Sequence, residues 1–259
     1  MNDLTAPMKT DKYANKAVRF MDRGTHYELL FTDDFNLPSS GGDGFTVANT
    51  LMTDIIADLK AADKSKEIHI FVSSFGGYVN CLNMLLQQIV QFQHRVGINL
   101  GTACSCGFML LAYCEEIYTS EYSMFMYHEM WTVSVGKVEE LRNKTIFEKN
   151  WWKMLVENSY VSDILTPEEI EQGKLTEVWI TGKELIDRGQ ANDYNLYALR
   201  SIPMDAPGFY EVNGKIYRKK GNKYVQYSED KPCKKNNQNS YTYAELLTIL
   251  NNKEEEEDK

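Results

Sequence analysis

A chain of 259 residues, 43% of them hydrophobic and 25% charged, is long enough to bury one sizeable core and leave a terminal segment over. Its net charge of −9 offers no basic face to phosphates, which disfavours nucleic-acid binding. The sequence contains no run of about 18 apolar residues, and no hydrophobic stretch follows the positive charges near the N-terminus. We therefore expect no membrane span and a cytoplasmic location.

The first half of the chain alternates between strand and helix patterns. In order, the patterns predict a strand at His26–Thr32, a glycine-rich loop at Asp33–Gly44, a helix at Thr46–Ala62, a strand at Glu67–Ser73, a Gly76-Gly77 turn, a helix at Val79–Phe92, a strand at Arg95–Leu100, a small-residue turn at Gly101–Gly107 and a buried helix at Phe108–Tyr113. Two successive strand, turn and helix units predict an α/β fold with a largely parallel sheet.

The second half continues this pattern and then changes in composition. We predict strands at Glu116–Thr119 and Ser123–Tyr127, helices at Val138–Tyr160, from Thr166-Pro167 and at Thr181–Asp187, a closing segment at Asn192–Leu196, a hairpin of Tyr210–Ile216 with Lys223–Tyr227, a helix at Tyr241–Leu250 and an acidic tail at Glu254–Asp258. These elements divide the chain into an N-terminal segment (1–25), a main domain (26–200) and a C-terminal extension (201–259).

The five cysteines favour reduced thiols over a metal site. They form no C-x-x-C pair and are odd in number: Cys81, Cys104, Cys106, Cys114 and Cys233. We expect neither a structural metal nor a cofactor.

One serine and one histidine stand at places that suit nucleophilic catalysis. Ser105 lies among small residues at a predicted strand-to-helix turn, where a hydroxyl is accessible beside the positive end of a helix. His128 follows an apolar strand, so its imidazole would emerge at a strand end. Taken singly, Ser105 also fits a helix cap and His128 an ordinary core or surface histidine.

Two glycines after a buried strand add a possible backbone site. Without Cβ atoms, Gly76 and Gly77 would let a ligand approach closely and would present N–H groups to it. A plain tight turn explains the same pair, so the glycines alone do not decide.

Three segments together resemble the proteolytic subunit of Clp protease. Ser73-Ser74-Phe75-Gly76-Gly77-Tyr78-Val79 resembles its N-S-P-G-G-x-V segment, Gly101-Thr102-Ala103-Cys104-Ser105-Cys106-Gly107 resembles G-Q-A-A-S-M-G, and Met124-Phe125-Met126-Tyr127-His128-Glu129 resembles the R-V-M-I-H-Q strand end. The resemblance covers about residues 26–197 and implies repeated β-β-α units of the Clp protease and crotonase type with a small C-terminal appendage.

The resemblance also implies roles for individual residues. Ser105 would be the nucleophile and His128 the general base, while the N–H groups of Gly77 and Cys106 would form the oxyanion hole. Gly76 and Tyr78 would belong to a backbone platform for an extended substrate. Glu177 occupies the position of the family's catalytic aspartate, so it would orient His128.

The implied function is an ATP-dependent serine endopeptidase subunit that acts on peptides or unfolded proteins. The resemblance further implies a homo-oligomeric ring, heptamer-like, fed by an AAA+ unfoldase. The chain departs from the family at Phe75, Thr102 and Leu175-Thr176, where the family has proline, glutamine and a basic-acidic pair that belongs to ring-ring contacts. Two alternatives remain: a catalytically impaired ring or scaffold protein, and a crotonase-type acyl-CoA enzyme.

Overall fold

The computed structural model describes residues 18–32, residue 35, residues 54–201 and five short strands between residues 209 and 241. The strands are β1 (Val18–Asp22), β2 (His26–Phe31), β3 (Glu67–Ser74), β4 (Arg95–Cys104), β5 (Glu116–Thr119), β6 (Met124–Tyr127), β7 (Val178–Thr181), β8 (Asn192–Asp193), β9 (Phe209–Val212), β10 (Lys215–Lys220), β11 (Lys223–Gln226), β12 (Cys233–Lys234) and β13 (Ser240–Tyr241). The helices are α1 (residues 54–61), α2 (Val79–Ile89), α3 (Cys106–Leu111), α4 (Val138–Glu157), α5 (Val161–Ile164), α6 (Pro167–Gly173), α7 (Gly182–Asp187) and a 3₁₀ segment (Tyr194–Ser201).

Eight strands form one sheet whose centre is parallel. Strands β2, β3, β4, β5 and β8 lie side by side in that order and run parallel, and β1 pairs antiparallel with β2 at the outer edge. Strand β6 pairs parallel with the end of β4, and β7 pairs antiparallel with β6. This topology confirms the predicted α/β class.

Strand β4 changes partner halfway along its length. Its first part pairs with β5 from Val96, and its last part pairs with β6 as far as Cys104. The Asn99 side chain holds this branch point, because its amide donates to the Met124 carbonyl at 3.0 Å and its oxygen accepts the Gly101 N–H at 2.9 Å. The predicted strand ended at Leu100 because Gly101 suggested a turn, whereas the real strand continues to residue 104.

Helices α2 and α3 fill the space beside the sheet. The buried residues of α2 recur at helical spacing: Leu82, Leu85, Leu86 and Ile89. Every residue of α3 is buried. Gly107 lets α3 approach β3, because a Cβ there would lie 3.0 Å from the Ser74 carbonyl oxygen. This packing fixes the point at which β4 ends and α3 begins.

Some elements differ from those predicted, and some lie outside the described residues. Strand β1 falls in a segment for which no strand was predicted, α4 ends at Glu157 rather than Tyr160, and the predicted hairpin is a three-stranded sheet, β9, β10 and β11. The loop at Asp33–Gly44 lies, apart from residue 35, outside the described residues, as do residues 46–53 of the first predicted helix and nearly all of the last one.

By internal contacts the chain forms two compact units, residues 1–194 and 195–259. The division at residues 25 and 200 remains a prediction. None of the helices in the described ranges is long and apolar enough to cross a bilayer.

Candidate active site

Ser105 occupies a strained turn between β4 and α3. Its backbone has φ 53° and ψ −117°, and it is the only non-glycine residue with positive φ among those the structure describes. Such a conformation is costly for a residue with a Cβ and persists only where its surroundings enforce it. Here the Ser105 N–H donates to the Met126 carbonyl at 2.8 Å, and its own carbonyl accepts the Met109 N–H at 2.9 Å. The hydroxyl is therefore held at a sharp strand-to-helix corner.

His128 meets this hydroxyl because β6 runs beside the end of β4. Cys104 pairs with Met126 at the end of two parallel strands, so Ser105 lies one residue and His128 two residues beyond this last register pair. The His128 Nε2 and the Ser105 Oγ lie 2.8 Å apart, at hydrogen-bond distance. Both residues are half-buried, so the pair is both supported and accessible. A neutral imidazole in this place can accept the hydroxyl proton.

The Gly76-Gly77 turn brings β3 against the serine more closely than any other residue type allows. Gly76 has φ 106°, and a Cβ there would lie 2.5 Å from the Ser105 Cβ. Gly77 has φ 133°, and a Cβ there would lie 2.5 Å from the backbone of Phe35. Both positions therefore require glycine.

The backbone of Gly77 faces the serine side of this turn. Phe35 is hydrogen-bonded to the residues on either side of Gly77. Its N–H donates to the Gly76 carbonyl at 2.6 Å, and its carbonyl accepts the Tyr78 N–H at 2.7 Å. In a parallel bridge of this kind, the N–H and C=O of Gly77 itself point away from Phe35. The Gly77 carbonyl is in fact contacted by the Cys106 thiol at 3.1 Å.

The predicted platform groups of Gly76 and Tyr78 are thus engaged with Phe35 in this structure, and their role toward a substrate remains a prediction. The Tyr78 side chain is 53% exposed beside the turn. Sequence reasoning missed Ser74, whose buried hydroxyl accepts the Gly76 N–H at 3.1 Å and braces the turn. Its position two residues before a glycine is a typical signal for such a contact.

Cys106 stands next to the serine as the first residue of α3. Its N–H therefore lacks a carbonyl partner within the helix and is available to an anion near Ser105. Burial raises the pKa of the Cys106 thiol to about 12, so the group stays protonated and donates to Gly77 as a neutral thiol. The contact between the Cys106 thiol and the Gly77 carbonyl sets the backbone of Gly77 beside the start of α3, and the oxyanion-hole role of the two N–H groups remains a prediction.

The structure does not join Glu177 to His128. The Glu177 carboxylate is exposed and accepts the indole N–H of Trp179 at 3.0 Å. The β6–β7 ladder pairs Met126 with Trp179 and Tyr127 with Val178, so continuing it by one step sets Glu177 opposite His128. Residues directly opposite on one face of an antiparallel pair are close neighbours. The ladder itself ends at Tyr127 and Val178, and the orienting role of Glu177 remains a prediction.

No group of three or more His, Cys, Asp or Glu side chains in the described ranges is arranged to hold a metal ion. The four cysteines of residues 18–201 are free thiols. The reactive groups that the site brings together are a hydroxyl, an imidazole and backbone N–H groups. These are the groups that acyl transfer requires.

Comparison with known families gives one result. A family model described as Clp protease matches residues 43–193, which is more than half of the chain and includes every candidate residue of the site. A comparison with curated proteins gives no significant match.

Proposed function

Because this chain belongs to the Clp protease family, we propose that it is a serine endopeptidase with Ser105 as nucleophile and His128 as general base. The observation that carries the proposal is the 2.8 Å approach of Nε2 to Oγ at a strained turn. A serine that only capped a helix would need neither the positive φ nor an imidazole partner.

The chemistry follows from this geometry. The Ser105 Oγ attacks the carbonyl carbon of a peptide bond while its proton passes to the His128 Nε2. The resulting oxyanion is stabilised by the N–H groups of Gly77 and Cys106, which are fixed by the turn and by the start of α3. The tetrahedral intermediate then expels the amine, which takes the proton from His128. Water repeats the sequence on the acyl-enzyme, with His128 first accepting and then returning a proton.

Glu177 completes the proposed site as the orienting acid. A carboxylate beside the imidazole holds one tautomer and stabilises the imidazolium that forms during the attack. Reaching His128 requires Glu177 to leave the Trp179 indole. The proposed catalysis therefore depends on an exchange of Glu177 between two hydrogen-bond partners.

The Glu177–Trp179 contact also favours a second candidate, a ring or scaffold subunit with little or no turnover. In that case the indole would hold the carboxylate permanently, and His128 would lack its orienting partner. The fold and the assembly would remain while the rate constant for acylation became very small.

A fluorophosphonate probe separates the two candidates, since it reacts only with an activated serine hydroxyl. We expect labelling of Ser105, its abolition by Ser105→Ala and its loss by about 10³-fold or more in rate in His128→Ala. Ser65→Ala and His26→Ala, which alter residues outside the site, are matched controls and should label like the wild type. A well-folded protein that is not labelled at any pH between 6 and 9 would contradict the peptidase and favour the scaffold.

The partners are proposed on the family likeness. We infer that several copies form a ring around a closed chamber, that peptides or unfolded proteins are the substrates, and that an ATP-driven AAA+ unfoldase delivers them. Large exposed apolar residues support self-association: Trp131, Val133, Val135, Val138, Ile146 and Phe147. Stimulation of protein degradation by a cognate ATPase, with no effect on short peptides, would be the expected signature of such a partner.

A further inference from the structure

A cavity of about 600 Å³ opens directly beside the proposed oxyanion hole. It is bordered by Gly77 and Tyr78 from the turn after β3, by Met130 and Trp131 just beyond His128, and by Trp151 from α4. Its size is typical of a ligand pocket. Because Gly77 belongs to the proposed oxyanion hole and also borders the cavity, a side chain of a bound peptide close to the cleaved bond would have access to this cavity.

One charged side chain lies in this otherwise aromatic and apolar lining. Glu148 stands three residues before Trp151 on α4, so the two share a helix face, and its side chain is only 16% exposed. One carboxylate oxygen, Oε1, lies 3.4 Å from the Thr132 hydroxyl and 3.5 Å from the Lys144 Nζ. The other oxygen, Oε2, is buried and has no hydrogen-bond partner in the described part of the chain.

A buried carboxylate oxygen without a donor is unusual, since leaving such an acceptor unpaired costs free energy. Lys144 does not remove the need for a donor. Lys144 forms an i,i+4 ion pair with the other carboxylate oxygen, Oε1. Its side chain is 51% exposed, and ion pairs of exposed side chains are weak. Glu148 therefore keeps an unsatisfied acceptor at the wall of the cavity.

The walls around this carboxylate suit a cation as well. Trp131 and Tyr78 are 79% and 53% exposed, so their ring faces are available, and Trp151 is half-buried behind them. Aromatic faces attract guanidinium and ammonium groups, and tryptophan does so most strongly. A guanidinium can also stack on a ring while its N–H groups bind a carboxylate.

We propose that this cavity selects a basic residue, arginine or lysine, at the position immediately before the cleaved bond, with Glu148 as the residue that determines the specificity. The proposal rests on the proposed peptidase function and adds the substrate class. The long side chain runs along the aromatic walls, and its charged end forms a charge-assisted hydrogen bond with the Glu148 carboxylate, whose buried Oε2 turns toward the cavity to accept it.

The test uses the full-length protein in its native assembly and peptides that differ only at that position. Arginine is compared with citrulline, which keeps the shape without the charge, and with leucine. We expect kcat/KM for the arginine peptide to exceed that for the citrulline peptide by about 10- to 100-fold, the value of one charged hydrogen bond. Glu148→Gln should bring this ratio close to one.

Glu157→Gln is the matched control, because Glu157 forms the same kind of i,i+4 pair, with Lys153, on the same helix. It should keep the wild-type ratio. It should also leave labelling of Ser105 by the fluorophosphonate unchanged, since Glu157 does not line the cavity.

The outcomes separate this inference from the proposed function. If Ser105 is labelled and the leucine peptide is cleaved, but the wild type does not prefer arginine to citrulline or Glu148→Gln keeps the preference, the specificity is overturned and the peptidase stands. The wild-type ratio gives this answer even if Glu148→Gln fails to fold. If Ser105 is not labelled and no peptide is cleaved, the peptidase itself fails and the specificity falls with it.

Discussion

Glu177 has two possible partners, and the choice between them controls the proposed catalytic site. Trp179 lies two residues along β7, on the same face, and its indole N–H holds the carboxylate at 3.0 Å. His128 and Glu177 are the next residues beyond the last β6–β7 pair, Tyr127 with Val178. Because an exposed hydrogen bond contributes little net free energy, the exchange requires only a small input from a bound substrate.

Substitution of Trp179 tests this competition. We expect Trp179→Phe to raise kcat/KM by about 2- to 10-fold, since it removes the competing donor and keeps an aromatic ring. Glu177→Gln should lower kcat/KM by about 10²-fold or more and should cancel the gain when combined with Trp179→Phe. Steady-state hydrolysis of a fluorogenic peptide by the four proteins measures both effects. Equal rates in all four would identify Glu177 as a surface carboxylate without a catalytic role.

His94 offers a prediction of pH-dependent stability away from the site. Its Nε2 lies 2.9 Å from the buried Glu116 carboxylate, and this hydrogen bond raises the pKa of His94 above its usual 6.5. A histidine whose pKa is higher in the folded state stabilises the protein fully below the unfolded pKa, and this contribution is lost as the pH rises through the folded pKa.

The free energy of unfolding of the wild type should therefore exceed that of His94→Gln most near pH 5.5, by an amount on the order of 1 kcal/mol, and the difference should shrink toward pH 9. Urea denaturation at a series of pH values measures it. Glu116→Gln should reduce this pH dependence while leaving the imidazole in place, because Glu115 and Glu67 still act on His94. A difference that grows with pH would contradict the assigned direction of the shift.

The turn between β3 and α2 couples the sheet to the nucleophile, and glycine is its essential residue type. We expect Gly76→Ala to reduce fluorophosphonate labelling by at least about 10²-fold, because the new methyl group would lie 2.5 Å from the Ser105 Cβ and displace the hydroxyl. Gly24→Ala is the control: Gly24 also has positive φ, 85°, but a Cβ there meets nothing within 4 Å. It should cost about 1 kcal/mol of stability and leave labelling unchanged. Equal labelling of Gly76→Ala and wild type would show that the turn does not position the serine.

Local sequence patterns predicted the strands and helices that depend on residues close together in the sequence. The buried strands and the amphipathic α2 came from their apolar periodicity, and the corner at Ser105 came from the small residues around it. Strand β1 was missed because it forms only by pairing with β2 in a hairpin that turns at Gly24. The extra strand in the C-terminal unit was missed although Asn213-Gly214, a strong hairpin signal, stands between β9 and β10.

Contacts between distant segments could not be read from local patterns. The branching of β4 depends on the Asn99 side chain reaching Met124, and no periodicity encodes that contact. The Glu177–Trp179 bond and the unpaired oxygen of Glu148 depend on side-chain placement after packing. The resemblance supplied the order of Ser105, His128 and Glu177, while the backbone geometry showed which two of them meet.

Within the described residues, the segment between β6 and α4 forms an apolar surface that remains exposed in a single copy. The segment between β6 and α4 carries apolar side chains at alternate positions: Trp131 is 79% exposed, Val133 69% and Val135 97%. Alternation of this kind is typical of a strand with one buried face, yet no strand is formed here. The net charge of −9 keeps copies apart unless such a surface provides a compensating hydrophobic contribution.

Self-association through this segment is the expected consequence for the proposed ring. Val133→Glu combined with Val135→Glu should lower the assembly mass measured by size-exclusion chromatography with light scattering, because burying two carboxylates in an apolar interface is strongly unfavourable. Tyr122→Glu, at a position that is 93% exposed outside the segment, should keep the wild-type mass. An unchanged mass in the double variant would place the contacts between copies on another surface.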